Sequence, residues 1–268
     1  LLVTDLDSTL LNRRKEISPG NLEAIRAWVR RGGLFTVATG RMESAAEPFL
    51  RALQVELPVI LYNGARLVEP GSWRVLHQRS LTRWAVAEAI RLLRELGLAT
   101  HLFAEGRAYV EPGPDGSLRP ESRDYLRSDG IHPVTVPDLT VFARDGAPEV
   151  LKLLVVGEPE AFQEFRRRFQ PPDGSRPHVV QSEPRYLEIL PEGVSKGEAL
   201  RRLCGLLGVP LDRVIAVGDG PNDLEMLQAA GLGVAVANAR PEVRAAARWV
   251  APSCEEDAVA AVIDAFGR

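Results

Sequence analysis

Over its first 80 residues the chain alternates short apolar runs with helix-length amphipathic segments: Leu1–Leu6, Asn21–Arg31, Leu34–Ala38, Glu43–Leu53 and Pro58–Tyr62. Short strands separated by single helices can lie side by side only if each helix carries the chain back across the sheet. This rhythm therefore specifies βαβ units and a parallel sheet, with Gly32-Gly33 and Gly64 supplying breaks. It returns near the end, with a helix at Lys196–Leu207, a strand at Val214–Val217, a helix at Pro221–Ala230, a strand at Gly233–Val236 and a last helix at Glu255–Phe266. We read this as the same sheet resumed.

The middle has a different texture. An amphipathic helix at Arg83–Leu96 and strands at Thr100–Phe103, Arg107–Glu111 and Val150–Val156 are separated by Pro/Gly/Asp-rich loops, notably "EPGPDGSLRPES" and "QPPDGSRP". The expected fold is therefore α/β. Residues 1–81 and 188–268 form a Rossmann-like, doubly wound parallel-sheet core, and residues 82–187 an inserted α+β domain.

Composition narrows the function classes. The chain has 268 residues, 45% of them hydrophobic, which is ample for a buried core. A formal net charge of −3 gives no electrostatic footprint for nucleic acid or an anionic membrane. No apolar stretch reaches the roughly 20 residues that span a bilayer. Cys204 and Cys254 lack the spacing of a disulfide framework or a zinc site. A cytoplasmic protein is expected, as a monomer or weak homodimer, and a few residues are expected to precede Leu1. The four histidines, His77, His101, His132 and His178, are scattered and read as structural or exposed. Of 33 basic residues only Lys15, Lys152 and Lys196 are lysines, which hints at sites needing a compact point charge.

Four clusters fall at a strand's carboxyl end or a helix start, the edge where open parallel sheets bind ligands. In Asp5-Leu6-Asp7-Ser8-Thr9, two carboxylates follow an apolar run. They either cap a helix or concentrate negative charge that a cation must offset. In "TVATGR", the Thr39 hydroxyl and the amides around Gly40 can hold an anion. In "GVSKGEAL", Ser195 and Glu198 have capping-box spacing, and Lys196 sits at the wrong end of the helix dipole unless it is solvated or meets an anion. In "VIAVGDGPNDLEML", Asp219 ends a strand, and Pro221, Asn222 and Asp223 open a helix. Asp5, Asp7 and Asp219 converge if their strands are neighbours. Carboxylates without His or Cys select a hard cation such as Mg²⁺, and metal plus lysine suits phosphoryl transfer.

DxDxT, Thr-Gly-Arg, a late lysine and GDxxND, in that order, resemble the haloacid dehalogenase superfamily of aspartate-nucleophile phosphatases. The insert after "YNGA" (Tyr62 to Ala65), with the "SKG" and "GDGPND" forms, is most similar to its Cof-type subgroup, type IIB, with a large α/β cap governing substrate specificity. The resemblance implies that Asp5 is the nucleophile and Asp7 the general acid and base. It implies Mg²⁺ held by the Asp5 carboxylate, the Asp7 carbonyl, Asp219 and waters, with Asp223 completing the metal site by orienting Lys196 or a metal-bound water. Thr39, Gly40, Lys196 and Asn222 would bind phosphate, and Arg41, Asn63 and Gly64 would line the site. Ser8 departs from the family's usual glycine, so that turn must accommodate a β-carbon.

The expected activity is Mg²⁺-dependent hydrolysis of a small phosphorylated metabolite, such as a sugar phosphate, through an aspartyl-phosphate. Alternatives are a phosphomutase using the same nucleophile, or a non-catalytic sugar-phosphate-binding protein. In the insert, His101, Glu111, Arg119, Tyr125 and Tyr186 are equally conceivable as substrate contacts or packing residues.

Overall fold

The computed structural model describes residues 1–113, 115–145 and 148–267. It divides into two compact units. The first holds Leu1–Arg41, Ala46–His77 and the chain from Ser195 onward; the second holds Met42–Ala45 and Gln78–Val194.

In chain order the first stretch gives β1 (Leu2–Thr4), α1 (Pro19–Arg30), β2 (Phe35–Val37), α2 (Glu43–Leu53), β3 (Val59–Leu61), β4 (Arg66–Val68) and β5 (Val75–Gln78). The second unit follows with α3 (Arg83–Glu95), β6 (Ala99–Ala104), β7 (Arg107–Val110), α4 (Pro120–Ser128), β8 (Val134–Thr135), α5 (Leu139–Asp145), β9 (Val150–Val156), α6 (Pro159–Arg168), β10 (His178–Glu183) and β11 (Tyr186–Leu190). The first unit resumes with α7 (Lys196–Leu207), β12 (Ile215–Gly218), α8 (Leu224–Ala229), β13 (Leu232–Val236), α9 (Pro241–Ala246), β14 (Trp249–Ala251) and α10 (Ala258–Phe266).

The first unit's main sheet runs β14-β13-β12-β1-β2, and all of its pairings are parallel. A parallel bridge between Ala38 and Ile60 hands β2 on to β3, which opens a three-stranded β3-β4-β5 ribbon with β3 and β4 antiparallel. Strands before the insert thus build outward in one direction from β1, and strands after it in the other. This is the doubly wound order, with its switch point between β1 and β12. Thr4 pairs with Val217, so Asp5 and Asp219 leave the sheet side by side at its carboxyl edge.

Two expected boundaries shift for local reasons. The first strand stops at Thr4 rather than Leu6, because Leu6–Leu10 form one wide turn closed by the Leu11 N–H on the Leu6 carbonyl at 2.8 Å. The helix expected from Asn21 starts at Pro19, because Ser18 Oγ accepts from Asn21 N at 3.2 Å and proline suits a first helical position.

The second unit is a six-stranded sheet, β10-β11-β9-β6-β7-β8, antiparallel except for β7 with β8. One pleat face, including Leu102, Tyr109, Leu153, Val155, Leu187 and Ile189, packs with Val86, Ile90 and Leu93 of α3 and Phe162 and Phe165 of α6. On the other face, Lys152 Nζ lies 2.8 Å from Glu188 Oε2 and 4.9 Å from the Phe103 ring centroid, with both members of the ion pair buried. Buried His101 reaches the Leu154 carbonyl through Nδ1 at 3.2 Å. Burial, with the Lys152 charge, lowers its pKa to about 4.

The expected limits of the insert, 82 and 187, are extended by the hydrogen-bond ladder. Leu81 N donates to the Val150 carbonyl at 2.8 Å. Residues 188–190 lie in β11, between β10 and β9, with Glu188 opposite Leu154. The return to the first unit therefore comes at Ser195.

Candidate active site

Asp5 is buried where β1 ends, and its amide donates to the Val217 carbonyl at 2.9 Å. The chain turns immediately. Asp7 adopts an extended conformation (φ −67°, ψ 134°), and Ser8 takes φ 55° and ψ 9°, a left-handed conformation that glycine meets without strain. The side chain at this position is exposed, so its β-carbon is sterically tolerated, and the turn is held by Asn238 Nδ2 donating to the Ser8 carbonyl at 2.7 Å. The turn gives Asp7 a position different from the one a continuing strand would impose on alternate residues.

Lys196 opens α7 and is fully buried, with Nζ 2.7 Å from Asp5 Oδ1 and 2.7 Å from Asp223 Oδ1. The anion that Lys196 needs at the positive end of the helix dipole is therefore this pair of carboxylates. Burial lowers the ammonium pKa, but Asp223 and Asp5 outweigh it and raise the net value. The expected capping box forms by half. Ser195 Oγ accepts from Glu198 N at 3.1 Å, whereas the Glu198 carboxylate lies 3.7 Å from Arg201 and 3.8 Å from Arg202. The Ser195 hydroxyl donates to Glu225 Oε2, which further ties the start of α7 to α8.

Asp219 follows β12, and its Oδ1 accepts from Thr9 Oγ1 at 2.9 Å. The "GPND" segment is a single 3₁₀ turn at Pro221–Asp223, ahead of α8, rather than the first turn of one continuous helix. That turn lets Asp223 Oδ2 accept from the amides of both Asp219 and Gly220 at 3.0 Å while Oδ1 meets Lys196.

Oxygen atoms of Asp5, Asp219 and Asp223 lie within 4.8 Å of one another. Three carboxylates against one ammonium leave excess negative charge in a site largely withdrawn from water. Burial, opposed by Lys196 and reinforced by neighbouring aspartates, raises the Asp5 pKa well above the ordinary value. Burial and the Asp223 charge raise Asp219 to about 7. The donor set is all oxygen and short of positive charge, which fits a divalent hard cation. Asp5 and Asp219 are the better placed carboxylates, because Asp223 already spends both oxygens on Lys196 and the two amides. The Asp7 carboxylate is engaged by Arg41.

The Thr-Gly-Arg segment lies beside this group. Thr39 is buried; its amide donates to the Ile60 carbonyl at 2.9 Å, and its Oγ1 accepts from Arg41 N at 3.1 Å. The hydroxyl proton is thereby left for an outside acceptor. Gly40 packs against Asn63, whose side-chain atoms would stand 3.1 Å from a β-carbon there. Asn63 N donates to the Thr39 carbonyl at 3.0 Å, and Asn63 Oδ1 accepts from Asn222 Nδ2 at 3.0 Å. Asn63 thus bridges the Thr39 and Asn222 loops.

Two further residues expected to line the site, Gly64 and Arg41, each make a specific contact there. Gly64 (φ +105°) exists for backbone approach, since a β-carbon would come within 2.3 Å of the Ser195 carbonyl at the start of α7. The Arg41 guanidinium forks onto Asp7, Nε to Oδ2 at 2.7 Å and Nη2 to Oδ1 at 2.6 Å. Burial raises the Asp7 pKa, but the Arg41 hydrogen bonds and charge reverse that and hold the carboxyl below its ordinary value. Thr9, outside the expected site residues, belongs to the site through Asp219. Its signal is the fifth position of DxDxT, where a hydroxyl can reach a carboxylate on the neighbouring strand.

Comparison with known proteins places this geometry in a family. Residues 2–263 match the model of the haloacid dehalogenase-like hydrolases. The chain is 30% identical to a putative phosphatase, YxeH, of Bacillus subtilis (strain 168), over 98% of this chain and 96% of that protein. It is also 30% identical, with the same coverage, to that organism's 5-amino-6-(5-phospho-D-ribitylamino)uracil phosphatase YwtE. Among solved structures, a haloacid dehalogenase-like hydrolase from Bacteroides thetaiotaomicron superposes with a TM-score of 0.85 at 29% identity, over 99% of this chain and 98% of that one. The chain belongs to the haloacid dehalogenase-like hydrolases, in their Cof-type subgroup, and is a phosphatase of that family.

Proposed function

We propose that the protein hydrolyses a small phosphorylated metabolite, a sugar or polyol phosphate, in a Mg²⁺-dependent reaction that passes through an aspartyl-phosphate on Asp5. The observation that carries this reading is the buried Asp5–Lys196–Asp223 chain beside Asp219, whose excess negative charge calls for a dication. Asp5, the Asp7 carbonyl and Asp219 would hold Mg²⁺, with Asp223 orienting Lys196. The metal would supply charge neutralisation that lets an anionic substrate approach an anionic nucleophile.

The remaining chemistry belongs to the side chains. An Asp5 carboxylate oxygen attacks phosphorus, and the ester oxygen leaves with a proton from Asp7. Water then attacks the phosphorylated Asp5, giving its proton to Asp7 and releasing inorganic phosphate and free Asp5. Arg41 favours the carboxylate form of Asp7, as the second step requires, and the charge of an incoming phosphate ester opposes Arg41 and favours the acid form. Lys196, the Thr39 hydroxyl, the amides around Gly40 and Asn222 hold phosphoryl oxygens in place, so that catalysis is chiefly positioning and charge stabilisation.

We also read the protein as a monomer or weak homodimer of the cytoplasm whose partner is its small phosphorylated substrate, not a membrane or a nucleic acid. No helix among the described residues is long and apolar enough to cross a membrane, and Cys204 and Cys254 are free thiols. The test is a screen of phosphorylated metabolites with and without Mg²⁺, led by 5-amino-6-(5-phospho-D-ribitylamino)uracil and sugar phosphates, using wild type and Asp5→Asn. Phosphate release that needs Mg²⁺ and is lost in Asp5→Asn, with a phosphorylated Asp5 peptide trapped on rapid quenching, is the expected outcome. Turnover retained in Asp5→Asn refutes the nucleophile, and accumulation of an isomer without free phosphate refutes hydrolysis in favour of a mutase.

A further inference from the structure

Arg41 follows β2 and Asp7 follows β1, and the two are paired in the site. The guanidinium reaches both Asp7 oxygens, at 2.7 and 2.6 Å. Its side chain is only 4% exposed, whereas that of Asp7 is 34% exposed. Arg41 is itself immobilised. Its amide is bound to Thr39 Oγ1 at 3.1 Å, its carbonyl accepts from Tyr62 N at 3.1 Å, and its guanidinium carbon stands 5.1 Å from the Phe49 ring centroid. A buried, backbone-anchored planar fork fixes a carboxylate in both position and plane, which a single hydrogen bond or a lysine cannot do. Asp7 needs such help. It sits in a one-turn segment before the left-handed Ser8, and no regular secondary structure sets its rotamer.

We propose that Arg41 is a positioning residue for proton transfer: it aims the Asp7 carboxyl at the leaving-group oxygen and is not a phosphate ligand. The proposal rests on the phosphatase reading above and assigns Arg41 a task within it. The device has a specific kinetic signature. Proton delivery matters for an alkoxide leaving group, and hardly at all for p-nitrophenolate, which departs unprotonated. A phosphate ligand or a structural prop would serve every ester alike.

The experiment compares kcat/KM for glucose 6-phosphate, or another alkyl ester that the screen finds better, with that for p-nitrophenyl phosphate. The proteins are wild type, Arg41→Met, Arg41→Lys, Asp7→Asn and the Arg41→Met/Asp7→Asn double variant, each checked for an unchanged melting profile. With general acid catalysis contributing about 10²–10⁴-fold, Arg41→Met is expected to lose about 100-fold on the alkyl ester and under about 5-fold on the nitrophenyl ester. Arg41→Lys should show the same asymmetry, smaller in size, and so covers the case in which Arg41→Met does not fold. The double variant should be no worse than Asp7→Asn, because Arg41 acts through Asp7. Equal losses on both esters, a rise in KM alone, or fully additive losses in the double variant would overturn the assignment. A wild type inactive on every ester refutes the phosphatase reading itself.

Discussion

Lys196→Met removes the one ammonium that faces both Asp5 and Asp223, at 2.7 Å each. Removing one partner of a buried ion pair costs about 3–5 kcal/mol, because the other charge stays buried and uncompensated. Here two carboxylates lose a partner, but Asp223 keeps two amide donors on Oδ2 and Asp5 is already inclined to take up a proton. The lower end of the range is therefore expected, about 3 kcal/mol near neutral pH. That corresponds to a fall of roughly 6–12 °C in the first unit's melting temperature. The loss should shrink as pH falls, since a proton on Asp5, whose pKa burial raises, can then stand in for the ammonium. Asp223→Asn should cost a similar amount, and the double variant clearly less than the sum. Urea unfolding followed by circular dichroism, at several pH values in the presence of a chelator, measures all of these. A loss under about 1 kcal/mol, additive single losses, or a loss independent of pH would refute the view that Lys196 neutralises this cluster. Phosphate release should fall by about 10²–10³-fold in the same variant.

Other outcomes follow from the same geometry. The Asp219 pKa is raised to about 7 and that of Asp5 is also raised, so the metal-free folded state holds protons that the unfolded chain releases above its ordinary aspartate value, about 4. Stability of the metal-free protein should therefore fall between about pH 4 and 7 and level off above, and Mg²⁺ should flatten the slope; a metal-independent profile would contradict the assigned cation site. Asp7, whose pKa is lowered, contributes the opposite trend, stability lost as pH drops below the ordinary aspartate range. Ser8→Gly relieves a left-handed β-carbon and should raise stability by up to about 1 kcal/mol in chemical denaturation, less the extra entropy of an unfolded glycine; a clear loss would show that the serine is doing something else. In the second unit, Glu188→Leu should cost about 3–5 kcal/mol by stranding Lys152, and Lys152→Met/Glu188→Leu should recover most of it; a double variant as unstable as the single would mean that the pair is not the reason for the loss.

The sequence alone determined the parallel sheet and the chemistry of its edge. Strand and helix periods differ by enough to be read locally, and Asp5, Asp7, Thr39, Lys196, Asp219, Asn222 and Asp223 each sit at a strand end or helix start, where orphan amides and carboxyl edges select polar residues. Much of the second unit was less legible. A helix such as Pro159–Arg168 buries only Phe162 and Phe165 among charged neighbours, and short strands such as Val134–Thr135 have no period to detect. The limits of that unit were set by ladder pairing, which no local signal reports.

Only the tertiary structure decided the partnerships. Lys196 could have been solvated, and became the buried partner of two aspartates because the parallel registry of β1 with β12 puts Asp5 beside the Asp219–Asp223 turn. Arg41 meets Asp7 because β2 flanks β1 on its other side. Gly64 admits the Ser195 carbonyl, a contact between distant segments that no local signal reports. Residue type is fixed by local backbone and charge, whereas which charge meets which depends on strand order, and strand order is a property of the whole sheet.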